Sequence, residues 1–307
     1  MATPYITPGM LTSAPAGISW KVVPTLTADS AEQLAQLDQV CWRATSIVDS
    51  YCRQPLRATA NTETATGPGA PRVAVDRHTG MGLLVTQYSP VVEVLGVLVA
   101  PSRSFPPQWC RVPDDHCRIR HPAPLSAGPA PVTTPAGGNA IDLAPSHLDW
   151  RHGRSGWQVQ YSYLSGWPHT SLTADTQAGD TTVQVDDVTG WTGAVGFAYD
   201  GPGTEPVQAT AAAATVPVEL PNGAGTVDAG PGTVTLAAPL TAGHPAGTVI
   251  SAMPTAVIQA TLLLATVQAL EGLNAIAVQS MSGRLAGGLG PLATEAEMIL
   301  DDYRRVI

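Results

Sequence analysis

Leu34, Leu37, Cys41, Ala44, Val48 and Tyr51 recur at steps of three and four, which puts them on one stripe of a helix. Gln33, Gln36, Asp38, Gln39, Arg43 and Asp49 take much of the opposite side. The pattern predicts a helix over 30–53. Asp29 and Glu32 read as a capping box at its start, and Pro55 marks its stop. The period then changes. RVAVD (72–76) alternates, GLLVTQY (82–88) reads as a strand, and VVEVLGVLV (91–99) reads as an inner strand because both its faces are apolar. A turn is expected at 78–80. Residues 101–148 read as proline-rich loop with short strands near 110–112 and 140–143. WQVQYSYL (157–164) is a clear strand.

From His169 to Ile250 no helical period exists. TTVQVDDV (181–188), VGFAYD (195–200), VPVEL (216–220), GTVTLAAPL (232–240) and a last GTVI alternate between Gly- and Pro-rich turns. Short strands at even spacing predict a small β-sandwich or barrel. GPG recurs at 67–69, 201–203 and 230–232, as turn chemistry rather than repeat architecture. Helix resumes after Pro254 and runs to about Leu273, carrying Val257, Ile258, Leu262, Leu263, Leu264, Val267 and Leu270. It is apolar nearly all round and must be covered on all sides. Gly283, Gly287, Gly288 and Gly290 suggest a flexible joint before a last helix over 292–303. Removing 169–252 would join a strand end to a helix start. The expected fold is therefore α+β: an extended arm (1–29), a discontinuous helical core with a small sheet (30–168 and 253–307), and an inserted all-β sandwich- or barrel-like domain (169–252).

Composition narrows the partners. The chain has 307 residues, 13% charged, with 30 Gly and 28 Pro, and a net charge of −9. Lys21 is the only lysine. Such an acidic chain is a poor wrapper of nucleic acid, whose affinity comes from phosphate neutralisation. It suits a surface past which DNA slides. Met253–Leu270 carries no charge but is broken by Pro254, Gln259 and Gln268, so it reads as a buried helix rather than a membrane span. The first twenty residues have neither a basic start nor a sustained apolar run, and no signal peptide is expected. Cys41 and Cys52 lie about three turns apart on one helix, too far for a disulfide, and reduced thiols of a cytoplasmically assembled protein are expected.

No catalytic constellation holds. Gly153-Arg154-Ser155-Gly156 misses the nucleophile-elbow spacing by one residue. Neither a phosphate loop nor a His-Glu-x-x-His motif is present. The pairs Asp114-Asp115, Asp186-Asp187 and Asp301-Asp302 lack calcium-loop spacing and read as turn and helix-end charges. His152, between Trp150 and Trp157, reads as structural. Cys110, His116, Cys117 and His121 could hold a metal, but without close Cys-x-x-Cys pairs the plainer reading is strand and loop residues. A non-enzymatic interaction protein without cofactor or metal is expected.

The order of parts resembles the head-to-tail connector (adaptor, head-completion) proteins of long-tailed bacteriophages. The resemblance rests on AEQLAQLDQVCWRATSIVDSYCRQPL followed by YSPVVEVLGVLV, on YSYLSGWP resumed as MPTAVIQATLLLATVQAL, and on the ending ATEAEMILDDYRRVI. The text LTADTQAGDTTVQVDDVTGW and its continuation to MP is similar to a β insertion carried by some actinobacteriophage connectors. The resemblance implies a virion protein at the head–tail interface. It would form a ring, typically of twelve copies, beneath the portal protein, extend the DNA channel without sequence-specific DNA binding, and meet a tail-side connector (stopper) or tail terminator protein. It implies portal docking by Asp302, Tyr303, Arg304, Arg305 and Ile307. Packing between neighbouring subunits falls to Leu34, Leu37, Cys41, Val48, Leu262, Leu263, Val267 and Leu270. The alternative is a tail-side or surface module whose β domain binds host glycan, stacking sugars on Trp167 and Trp191.

Overall fold

The computed structural model describes residues 3–13, 30–66, 73–75, 81–101, 106–120, 139–144, 157–200, 203–277 and 286–304. It opens with α1 (Pro8–Ser13) and α2 (Ser30–Cys52). Eight strands follow: β1 (Thr59–Thr66), β2 (Val73–Val75), β3 (Gly82–Val85), β4 (Val91–Pro101), β5 (Cys110–Arg111), β6 (Cys117–Arg120), β7 (Ala140–Leu143) and β8 (Trp157–Ser165). Next come β9 (His169–Ser171), β10 (Thr182–Val185), β11 (Val195–Asp200), β12 (Gly203–Ala214), β13 (Val218–Glu219), β14 (Thr226–Val227), β15 (Gly232–Leu236) and β16 (Val249–Ser251). The chain finishes with α3 (Thr255–Ala277) and α4 (Ala286–Asp301).

An α+β fold with a helical core is not what these elements build. Among the described residues strand outweighs helix, 38% to 29%, and the strands form several sheets, one of them a half-barrel. The difference comes from strands with little apolar signal. TANTETAT forms β1 and GTEPVQATAAAA forms β12, because β8 in one case and β11 with β15 in the other complete their backbone ladders. Small Thr and Ala side chains then need only one covered face.

Two four-stranded sheets, ordered β1-β8-β4-β5 and β2-β3-β7-β6, lie face to face. Val97, Val99, Val159, Tyr161 and Tyr163 of the first meet Leu84, Ile141 and Leu143 of the second in a common core. The third sheet runs β10-β15-β12-β11-β16-β9. It curls until its ends meet: Leu172 bridges Val185, the Asp186 amide donates to the Ser171 carbonyl at 3.0 Å, and the Thr173 amide donates to the Gln184 carbonyl at 3.0 Å. Trp191, Val183, Val207, Val234 and Ile250 fill the interior.

The strand period of two decides what joins what. On β11, Ala198 points into the half-barrel, while Phe197 and Tyr199 point out to the helices. On β16, Ile250 points in and Val249 points out. Residues Leu37, Cys41, Val48, Val257, Ile258 and Leu300 close around those outward side chains. The segment expected to be an extended arm takes part, since Tyr5, Ile6, Met10 and Leu11 are all buried in this cluster. The half-barrel also sends the hairpin β13-β14 back over the outer face of the first sheet. There Leu220, Ala224 and Val227 cover Leu98 and Leu164.

Helix α2 ends as a Schellman turn. Arg53 sits at φ 57, its amide donates to the Ser50 carbonyl at 3.2 Å, and the Gln54 amide donates to the Asp49 carbonyl at 3.1 Å. At the other end of the chain, α4 begins at Ala286, so Gly287, Gly288, Gly290 and Pro291 lie within a helix where a flexible joint was expected. The Asp29 capping box, the turn at 78–80, Gly283 and the GPG at 67–69 lie outside the described residues.

Candidate functional site

The end of α4 is built onto the end of α2. Tyr51 donates to Asp301 Oδ1 at 2.7 Å. The Arg304 guanidinium lies 5.2 Å from the centre of the Tyr51 ring, a cation–π stack. Tyr303 meets Trp167 edge-on, with ring centroids 5.6 Å apart, and its carbonyl accepts from Gln54 Nε2 at 3.3 Å. Burial, with Asp302 and Cys52 nearby, raises the Tyr303 phenol above its ordinary range, so it stays neutral. Of the five residues expected at a portal contact, Tyr303 and Arg304 are therefore held against their own chain, and Asp302 faces outward. Arg305 and Ile307 lie outside the described residues.

The eight residues expected to pack between subunits divide. Leu37, Cys41, Val48 and Val267 are buried within the chain. Leu262 and Leu263 are partly covered at the rim of the same cluster, and Leu270 is half-exposed. Leu34, on the same sequence stripe, is 57% exposed because the first turns of α2 run past the cluster. It lines an open groove of about 640 Å³ with Pro4, Pro8 and Asp38 on one side and Thr173 and Asp186 of the half-barrel on the other. A second groove of about 740 Å³ runs along α4, where Met298 is 70% exposed beside Pro291, Glu295, Ile299 and Asp302.

The other sequence candidates have structural partners. Trp167 and Trp191 are 4% and 1% exposed and pack inside the helix cluster and the half-barrel respectively, so neither offers a face to a sugar. Asp187 Oδ1 accepts from the Thr189 amide at 2.9 Å and the Gly230 amide at 3.0 Å, which makes it a turn residue. Asp114 pairs with Arg111 at 3.1 Å. All four cysteines are free thiols; burial raises Cys41 and Cys52 to about 12 and Cys117 to about 11, leaving them protonated. Among the described residues, no three His, Cys, Asp or Glu side chains gather as ligands of one metal ion. His121, His152 and the segment 153–156 lie outside the described residues. No helix among the described residues is long and apolar enough to cross a membrane.

Two polar clusters on the half-barrel escaped the sequence reading. One is at the root of the half-barrel. Tyr5 is fully buried, donates to Asp49 Oδ1 at 2.5 Å, and accepts from the Leu56 amide at 2.9 Å. Next to it, His169 Nε2 donates to the Pro4 carbonyl at 2.8 Å while Nδ1 accepts from Ser251 at 3.0 Å. Burial, with the Arg57 charge, depresses this imidazole to about 4. The other cluster is Asp200, Glu205 and His244. His244 Nε2 lies 2.8 Å from Glu205 Oε2, and Nδ1 lies 3.3 Å from Asp200 Oδ2. The local signal was thin: Asp200 and Glu205 straddle the Gly201-Pro202-Gly203 text, but His244 stands 39 residues further on.

Comparison with protein-family models, with curated proteins and with solved structures found no match for this chain.

Proposed function

We propose that this chain is a structural virion protein that assembles as a ring beneath the portal, extends the DNA channel and joins a phage head to its tail. One observation carries the reading. The stripe that sequence periodicity assigns to packing is mostly consumed inside the chain, yet Leu34 and Met298 of the same helical layer face outward beside open, apolar-lined grooves. A single exposed apolar side chain is ordinary surface by itself; here each stands beside a groove that a neighbouring subunit can fill. The order of parts that resembles the connectors supports the same reading. So does the net charge of −9, which disfavours DNA adhesion to the wall of a channel. In this arrangement the α4 face with Met298 and Asp302 turns toward the portal.

Electron microscopy of lysates from a phage lacking this chain tests the proposal. Separate heads alongside free, complete tails are expected. Normal tailed particles would overturn it.

A further inference from the structure

The tip of the β13-β14 hairpin carries a reactive dipeptide. Asn222-Gly223 is the only Asn-Gly in the chain. Turn chemistry accounts for its presence. Asn222 sits at φ 57 and Gly223 at φ 75, and the Ala224 amide donates to the Pro221 carbonyl at 3.2 Å. A type I′ turn asks for a positive φ at both central residues, and Asn-Gly is a pair that adopts it readily. In the same pair the side-chain amide is most open to attack by the next main-chain nitrogen, because glycine has no side chain to obstruct it. Both residues are exposed, and a Cβ at Gly223 would meet nothing within 4 Å.

Two features guard the closed turn. At ψ 25 the Gly223 nitrogen is turned away from Asn222 Cγ, so a ring can close between them only when the turn opens. The Asn222 side chain is also held: its Nδ2 donates to Gln160 Oε1 at 2.5 Å, and Gln160 Nε2 donates to the Pro221 carbonyl at 3.3 Å. Gln160 is 3% exposed on β8, so this pair of bonds pins the hairpin tip to the first sheet. A tip clasped at so few points opens locally more often than the sheet beneath it.

We propose that Asn222 is a deamidation site gated by the hairpin. In the open turn the Gly223 nitrogen gives its proton to water and attacks Asn222 Cγ. The new N–C bond closes a succinimide ring as the Cγ–Nδ2 bond breaks and ammonia leaves. Water then opens the ring at either carbonyl, giving aspartate or isoaspartate, with nothing oxidised or reduced. Neither product rebuilds the clasp. A carboxylate only accepts, so it has no donor for Gln160 Oε1. Isoaspartate also lengthens the main chain by a methylene, which the tight turn does not accommodate. The hairpin then stays lifted, and Leu98 and Leu164 lose the cover of Leu220, Ala224 and Val227.

The test incubates the full chain at mildly alkaline pH and follows residue 222 by mass spectrometry, with a free peptide of residues 216–227 alongside. Asn222 is expected to convert ahead of Asn61, Asn139 and Asn274, each of which precedes a residue with a side chain, and more slowly than in the peptide. Gln160→Ala raises the rate in the full chain about 5–30-fold, the shift in opening that losing one or two such bonds makes. Arg111→Ala removes the bond to the Ala224 carbonyl and raises the rate in the same direction without disturbing a buried side chain. Asn222→Asp, made directly, shows faster hydrogen exchange at the Leu220 and Val227 amides. Three results would each overturn the proposal. One is an intact Asn222 in the full chain after the peptide has converted completely. Another is conversion at the peptide's rate in the wild type and both variants, which would remove the gate. The last is unchanged hydrogen exchange in the Asn222→Asp protein, which would mean that the product keeps the clasp.

Discussion

His169 couples the N-terminal segment to the root of the half-barrel, and its burial sets a pH dependence. The imidazole faces the Tyr5 ring edge-on at 5.5 Å, with Ser251 and the Pro4 carbonyl on its nitrogens and Arg57 and Asp187 as the nearby charges. Burial and Arg57 push its pKa down, and the Pro4 hydrogen bond and Asp187 only partly oppose them. The folded state prefers the neutral ring, while the unfolded chain binds the proton near the ordinary value of 6.5. The contribution to stability is therefore fully present above that value and is lost as pH falls toward about 4. Replacing His169 by Gln keeps a donor for Pro4 and removes the titration. Denaturant unfolding of both proteins across this window should show the wild type losing more stability than H169Q as pH falls. Parallel curves would mean that His169 does not titrate at this joint.

Among the elements, the hairpin β13-β14 has the most to say about how the inserted strands belong to the rest. It leaves the half-barrel and lies on the first sheet, where Arg111 Nη1 donates to the Ala224 carbonyl at 2.6 Å and Asn222 Nδ2 donates to Gln160 Oε1 at 2.5 Å. Gly96 in β4 permits that approach, since a Cβ there would stand 2.9 Å from the Ala224 oxygen. Replacing Gly96 by Ala should lift the hairpin and cost roughly 1–3 kcal/mol, as overpacking does. Hydrogen exchange should then quicken at the amides of Leu220 and Val227 and stay unchanged inside the half-barrel at Val234. Uniform exchange across all of these would count against a local clash. The hairpin also explains why Leu98 and Leu164 are buried on a sheet face that nothing adjacent in sequence could cover.

Across the chain as a unit, the outward residues Leu34 and Met298 carry the proposed assembly. Both are more than half exposed, so Leu34→Glu and Met298→Glu should leave stability within about 0.5 kcal/mol of wild type. Each should reduce incorporation of the chain into particles, measured by complementation of the phage lacking it. Full complementation by both variants would remove these surfaces from the assembly. The half-barrel cannot be excised without cost in this picture, because Phe197, Tyr199 and Val249 face the helix cluster from its outer wall.

Periodicity is a local property, and it was enough for α2, for β4 and β8, and for β11 over Val195–Asp200. In each, one face or stripe is apolar for as long as the element lasts, and burial rewards that pattern whatever the partner is. The absence of a helical period from His169 to Ile250 was readable for the same reason. The same local signal placed α3 after Pro254 and the short strands β3, β10 and β15, whereas tertiary structure alone decided several other features. Neither β1 nor β12 has a strong apolar face, and each became a strand because its neighbours completed its backbone hydrogen bonds. Leu34 shares a stripe with Leu37 yet stays exposed, because a helix stripe says which side is apolar and not how far the covering surface extends. Asp200, Glu205 and His244 meet only after two strand pairings and a long connection are in place. Contacts between residues 39 or 44 positions apart depend on the packing of everything between them, and no local spacing records that.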